Sequence, residues 1–275
     1  MLKLTDDDFE RLVRYMKSNY GINLEKKRVL IEGRLANTVA SRGFKSFKEF
    51  IDFAFADKTG NETMQLVNKL TTNHTYFLRE PEHFEFLKTV ILPYIEKTSK
   101  DHTPRIWCAA SSTGQEPYTI AMTMDEYFGV KAPMWNLKLL ATDLDTDVLK
   151  KAQAGIYSAD MVKDVPAEWL RKYFKKIDGD NYQVIDRIRN MVEFKQFNLM
   201  DKIVCHRPFD LISCRNVMIY FETETKNALI ERFYDVTKEG GYLFVGHAES
   251  VGKNTRYKYV KPAVYRRLSD EKAIR

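Results

Sequence analysis

The stretch CAASSTGQEPYTIAM, residues 108–122, decides the fold. An apolar run gives way to small hydroxyl residues and one glycine, and a helix opens at Glu116. The pattern predicts a buried strand, a tight turn and a helix. Small residues at such a turn let a ligand approach the backbone closely. A phosphate cradle would carry a Lys-Ser/Thr pair or glycines at fixed spacing, and neither is present. The charged residue is Glu116, an acceptor, which suits a cationic or hydroxyl-rich ligand.

The same rhythm continues on either side. RIWCAA (105–110), LKLLATD (137–143), FDLISC (209–214) and GYLFVGH (241–247) read as buried strands. Helices are expected between them at 116–128, 145–153 and 222–237. The alternation predicts an α/β fold, a mostly parallel Rossmann-like sheet with helices on both faces. Ligands of such sheets bind beyond the carboxyl ends of the strands. Ser111–Glu116, Asp143 and Arg215–Tyr220 all fall there. Weak alternation around Tyr182–Ile185 and Met191–Phe197 predicts a small appended β-hairpin subdomain within 156–195.

Before residue 100 no strand signal occurs. Thr5 can cap a helix carrying Phe9, Leu12, Val13 and Met16 at helical spacing, with Gly21 after its end. Residues 24–43 repeat the pattern, and SFKEFIDFAFAD opens on a capping Ser46. A helical domain over 1–60 and a larger α/β domain over 61–275 are expected, divided near ADKTGNE (56–62). Between Glu10 and Lys48 ten Lys/Arg face three Glu, a net +7 that exceeds the +6 of the whole chain. An acidic partner is implied, with an ordinary solvated helix face as the alternative. The acidic N-terminal helix resembles no signal peptide, and no apolar run reaches the roughly 20 residues of a membrane helix. Three cysteines without CxxC spacing imply a reduced, cytoplasmic setting. The five histidines never pair at metal-ligand spacing in the sequence, and no metal is expected.

Asp143 lies 29 residues after Gly114. A carboxylate ending the second strand commonly binds the ribose hydroxyls of an adenosine, although Asp143 or Asp145 could instead cap the next helix. A turn without phosphate-binding residues argues against a nucleoside triphosphate, and it lacks the full nicotinamide fingerprint. Adenosine without phosphates points to S-adenosylmethionine. Two further stretches are dense in hydrogen-bonding groups: LTTNHTYFLREPEHF (70–84) and CRNVMIYF (214–221).

Together these stretches resemble the CheR chemotaxis receptor methyltransferases. The likeness covers nearly the whole chain, with TTN-T-F-RE, STG-EPY, ATD-D, GIY, NL and CRNVMIYF in family order. It implies a class I methyltransferase domain behind a basic helical domain, using S-adenosylmethionine and no metal. Its partners would be the cytoplasmic domains of bacterial chemoreceptors, whose glutamates it would esterify. By resemblance, Asn73, Thr75 and Arg79 border the methionine part of the cofactor, Glu116 its amino acid portion and Asp143 its ribose. Asn198 and Leu199 flank the adenine, Arg215 and Asn216 close the pocket, and Arg79 and Tyr220 stand nearest the transferred methyl. Lys26, Lys27, Arg28 and Arg34 would dock the receptor. Ser111 stands where a cysteine is common in the family, and Gln115 where a glutamate is. The stretch 178–195 lacks the glycine-rich loop associated with docking on a receptor C-terminal peptide.

Two rivals are weaker. A nucleic-acid methyltransferase would carry an Asn/Asp-Pro-Pro-aromatic loop or a nucleophilic cysteine beside a proline, whereas this loop reads Arg-Asn-Val-Met. A non-catalytic cofactor-binding adaptor would be favoured by loss of Arg79 or Tyr220, and both are present.

Overall fold

The computed structural model describes residues 3–252 and 255–268. Four helices come first: α1 (Asp6–Tyr20), α2 (Arg28–Ser41), α3 (Phe47–Ala56) and α4 (Asn61–Leu70). Thr5 and Ser46 cap α1 and α3 as expected, accepting from the N–H groups of Asp8 and Glu49. The apolar stripes of all four close on one core of Leu12, Met16, Ile31, Leu35, Phe50 and Leu66. Leu66, Val67 and Leu70 are fully or almost fully buried in it. The expected boundary at residue 60 therefore falls inside the bundle, because α4 needs the other helices to cover its apolar face.

A helical run follows, α5 (Glu82–Phe86) and α6 (Leu92–Thr98) joined by a π-turn at Leu87–Ile91. The chain then alternates through β1 (Ile106–Ala109), α7 (Gln115–Phe128), β2 (Leu139–Asp143) and α8 (Thr146–Ala154). Next come β3 (Ile156–Ser158), α9 (Ala159–Val162), α10 (Ala167–Tyr173), β4 (Phe174–Lys176), β5 (Asn181–Val184) and α11 (Asp186–Arg189). Last are β6 (Val192–Gln196), β7 (Phe209–Ser213), α12 (Thr223–Val236), β8 (Thr237–Phe244), β9 (Lys258–Lys261) and β10 (Val264–Arg266).

Seven strands form the main sheet in the order β6-β2-β1-β7-β8-β10-β9, parallel from β6 to β8, with β10 and β9 antiparallel. Side chains alternate between faces. Ile106 and Cys108 of β1 join one core, Trp107 and Ala109 the other. Both faces are buried, as the unbroken apolar strands implied. The chain leaves β1 for β2 and β6, then returns to β7 on the other side of β1. That reversal opens a crevice at the carboxyl ends of these strands.

The hairpin expectation needs correcting in two respects. The appended unit is a three-stranded antiparallel sheet, β3-β5-β4, rather than a hairpin. Residues 192–196, grouped with it by their alternation, instead form β6, the edge of the main sheet, pairing in parallel with Leu139–Asp143. An edge strand is half-covered, so it alternates like a hairpin strand while belonging to a parallel sheet. No helix among the described residues is long and apolar enough to cross a membrane.

Candidate active site

The turn after β1 is tightly wound. Ala110, Ser112 and Gly114 all have positive φ, at 79°, 49° and 96°. Gly114 has to be glycine, since a Cβ there would sit 2.9 Å from the Ala152 Cβ and the Tyr157 hydroxyl. The N–H groups of Ala110 and Ser111 both reach the Thr142 carbonyl at 2.8 Å, fastening the turn to the end of β2. Ser111 is buried with its hydroxyl unpartnered. Gln115 accepts from the Thr113 hydroxyl at 2.8 Å.

Asp143 and Asp145 divide the two roles that the sequence left open. Asp145 caps α8, accepting from the N–H groups of Asp147 and Val148. Asp143 turns the other way and accepts from the N–H groups of Ser112 (2.7 Å) and Asp145 (3.0 Å), one on each oxygen. Each oxygen retains a second lone pair, the complement of a vicinal diol. Burial pushes the Asp143 carboxyl up to about 6, with the charge of Asp145 adding to the rise and the N–H groups opposing it.

Across the crevice Arg215, 5% exposed, is held between two carboxylates. It lies 3.1 Å from Glu80 and 3.0 Å from Glu116, and it also donates to the Arg79 carbonyl. Glu116 in addition accepts from the Ser213 hydroxyl at 2.5 Å. Burial works to raise the Glu80 carboxyl, but His83, the Arg215 charge, the His247 N–H and the Asn216 amide together hold it well below the usual carboxylate range. Burial lowers the Arg215 guanidinium, and the two carboxylates outweigh it, so its pKa ends above the ordinary arginine value. His83 and His247 bring ring nitrogens within 4.8 Å of each other and of Glu80, a proximity invisible in sequence spacing. Arg215 and Asn216 both donate to that carboxylate.

The segment before α5 crosses the same crevice. Asn73 donates to Asp145 at 2.7 Å, and its carbonyl accepts from the Ser112 hydroxyl at 2.8 Å. Arg79 donates to the His74 carbonyl at 2.9 Å and lies 5.6 Å over the Tyr76 ring. It has no carboxylate partner among the described residues. Tyr220 accepts the Asn23 N–H at its carbonyl (2.8 Å), and beside it Phe221 bridges Ile22. The α1–α2 connection thus rests directly on the loop carrying Tyr220.

Part of this constellation lines one cavity of about 360 Å³, within the range of small-molecule sites. Asn73, Thr75, Arg79, Glu116 and Asp143 line it from one side of the sequence, and Asn198, Leu199, Arg215, Asn216 and Tyr220 from the other. Asn198 is also a tie to the bundle, donating to the Asn19 carbonyl at 2.8 Å. Leu70, Phe197, Leu199 and Phe221 give the cavity apolar wall. The bundle contributes too, with Tyr20, Ile22, Leu24, Lys27, Leu30 and Arg34.

The four cations expected to dock a partner separate. Arg28 pairs with Asp6 and the Leu4 carbonyl, and Arg34 donates to the carbonyls of Leu70 and Thr71, so both are spent inside the protein. Lys26 and Lys27 are exposed and make no ion pair among the described residues. Glu80 and Glu249 are carboxylates bonded to the cavity's Arg215–Tyr220 loop that sequence reasoning passed over. Glu80 sits beside Arg79 in a stretch already noted, while Glu249 in GHAES shows no local signal.

A buried carboxylate suited to a diol, apolar wall for a flat base and a charged far end fit an adenosine joined to an amino acid. Residues 73–265 match the family model described as CheR methyltransferase, SAM binding domain, and residues 7–71 match CheR methyltransferase, all-alpha domain. The chain is 42% identical over 272 residues to the chemotaxis protein methyltransferase of Borreliella burgdorferi, covering 97% of this chain and 96% of that one. Identity to the chemotaxis protein methyltransferase of Escherichia coli is 36% over 254 residues, covering 90% and 86%. For that of Salmonella typhimurium it is 35% over 278 residues, covering 99% and 93%.

Proposed function

The chain belongs to the CheR methyltransferase family, and from that premise we propose that it esterifies glutamate side chains of chemoreceptor cytoplasmic domains. Its cofactor is S-adenosylmethionine, which when bound supplies a methyl group already activated on a sulfonium. Asp143 would hold the ribose hydroxyls, Leu199 and the wall beside Asn198 the adenine, and Asn73, Thr75, Glu116 and Asn216 the amino acid end. A glutamate carboxylate is ionised near neutral pH, with an unperturbed pKa of about 4.3, so no strong base is required. The protein has to orient that carboxylate, strip its water and exclude more.

One observation carries the reading. Of the three arginines lining the cavity, Arg215 is already matched by Glu80 and Glu116 and Arg34 by two carbonyls and the Thr72 hydroxyl, while Arg79 has a single carbonyl. Arg79 is the arginine left to take an incoming carboxylate through its planar fork. The Tyr220 hydroxyl has no partner among the described residues and can orient the same group. The test is radiolabelled methyl transfer to a receptor cytoplasmic fragment, expected as a base-labile ester that depends on the cofactor. Label on DNA or RNA instead, or on nothing, would overturn the proposal.

The bundle would present Lys26 and Lys27 to the acidic receptor. These charges are exposed and screened beyond about 8 Å at physiological salt. Reversing both to Glu should raise the KM for receptor several-fold at low salt, and the wild-type KM should climb with added salt more steeply than the variant's. Lys27 borders the cavity, so Lys26→Glu alone is the variant expected to leave cofactor affinity unchanged. Equal receptor kinetics for the double variant and wild type at low salt would remove the docking role.

A further inference from the structure

The loop from Arg215 to Phe221 carries five cavity-lining residues, yet it belongs to no strand, and its one regular turn is the short 3-10 turn Met218–Tyr220. Asn216 holds φ at 60°, a left-handed conformation that costs energy outside glycine. Something has to pay for this geometry from outside the loop. Glu249, 9% exposed and 33 residues further along, does so. Its Oε2 accepts from the N–H groups of Asn216 (2.8 Å) and Gly246 (2.6 Å), and its Oε1 from Ile219 (3.2 Å). One buried carboxylate therefore satisfies three main-chain donors, two of them in the loop and one at the end of β8. Gly246 completes the seat, because a Cβ there would come within 2.3 Å of the Asn216 amide nitrogen.

We infer that Glu249 is a positioning residue for methyl transfer, fixing the loop so that Asn216 stands at the cofactor's amino acid end and the Tyr220 hydroxyl at the reacting centre. It lines no part of the cavity and acts only through these residues. Ile219 precedes Tyr220, so the hydrogen bond to Oε1 sets the direction in which the tyrosine leaves the chain. A charged acceptor binds N–H groups about twice as strongly as a neutral one, which suits it to hold a strained turn. The inference rests on the role proposed for Tyr220.

Glu249→Gln keeps the volume but turns one acceptor into a donor facing an N–H group. Its kcat on a receptor fragment should fall about tenfold. Glu249→Ala, which loses all three bonds, should fall on the order of a hundredfold, the scale of a misplacement of about 1 Å. Affinity for S-adenosylhomocysteine should fall less than kcat, since only Asn216 of its proposed contacts sits on the loop, and Asp143, Asn73 and Glu116 sit on other segments. In a Tyr220→Phe background Glu249→Ala should add little further loss, because contacting partners in one network are not additive. A purely structural role would instead lower the melting temperature and leave kcat per folded molecule intact, and that result overturns the inference. So do losses that simply multiply in the double variant. If Glu249→Ala does not fold, Glu249→Gln and Gly246→Ala decide it by the same kcat readout. Wild-type turnover by Tyr220→Phe would remove the role of that hydroxyl alone, leaving Glu249 to be judged on kcat of Glu249→Gln.

Discussion

Arg215→Ala should destabilise the protein by about 3–5 kcal/mol at neutral pH, the cost of breaking a buried ion pair from one side. The alanine would leave the largely buried Glu80 and Glu116 without the cation they share. The melting temperature should drop on the order of 10 °C. The pH dependence has a definite sign. The Glu80 carboxyl is depressed in the folded state from its ordinary 4.5, so its contribution is complete above that value and is lost as pH falls through the folded pKa. The gap between wild type and variant should therefore be widest near neutrality and narrow in acid. Adding Glu80→Gln to Arg215→Ala should recover part of the loss by removing one stranded charge. A wild-type melting temperature for Arg215→Ala would show that the triad contributes nothing.

Cofactor affinity should respond most strongly to Asp143. Two hydroxyl bonds to a charged acceptor are worth roughly 1.5–3 kcal/mol each, so Asp143→Ala should weaken S-adenosylhomocysteine at least about tenfold. The same residue gives wild type a pH signature. Its carboxyl, raised to about 6 chiefly by burial, keeps its proton to higher pH than it would in the unfolded chain, where it titrates near 3.8. For the free protein this contribution to stability is full below 3.8 and is lost as pH rises through about 6. Both ribose hydroxyls can donate, one to each oxygen, only when the carboxylate is ionised, so ligand affinity runs the other way. It should rise about tenfold between pH 5 and 7 and then level off, following the ionised fraction. Calorimetry across that range on wild type and Asp143→Ala checks both, since the variant should lose the dependence. A flat wild-type profile, or unchanged binding by a folded variant, would sink the assignment.

Local chemistry made much of this protein legible in its sequence. Thr5 and Ser46 cap helices because a hydroxyl one turn ahead of an amphipathic run has little else to bind. The strands at 106–109, 139–143 and 209–213 announce themselves by continuous apolar residues, which only a sheet covered on both faces can bury. Small residues after the first strand and a carboxylate after the second imply a ligand at the strand ends before any partner is known. The motif order then supplied the family and the ten residues that converge on the cavity.

Tertiary structure alone decided the remainder, and each case turns on a partner distant in the chain. Asp143 and Asp145 are chemically equivalent in sequence, and only the packing of the Ser112 turn on the end of β2 tells the cavity-lining carboxylate from the cap. Arg28 and Arg34 read as free charge until α2 lies beside the N-terminus and the end of α4, whose carbonyls consume them. Residues 192–196 alternate as a hairpin strand would, and only a place beside β2 makes them the parallel edge. Glu80 meets Arg215 across 135 residues and Glu249 meets Asn216 across 33. A buried carboxylate is stable only where donors converge on it, and the folded chain alone brings those donors together.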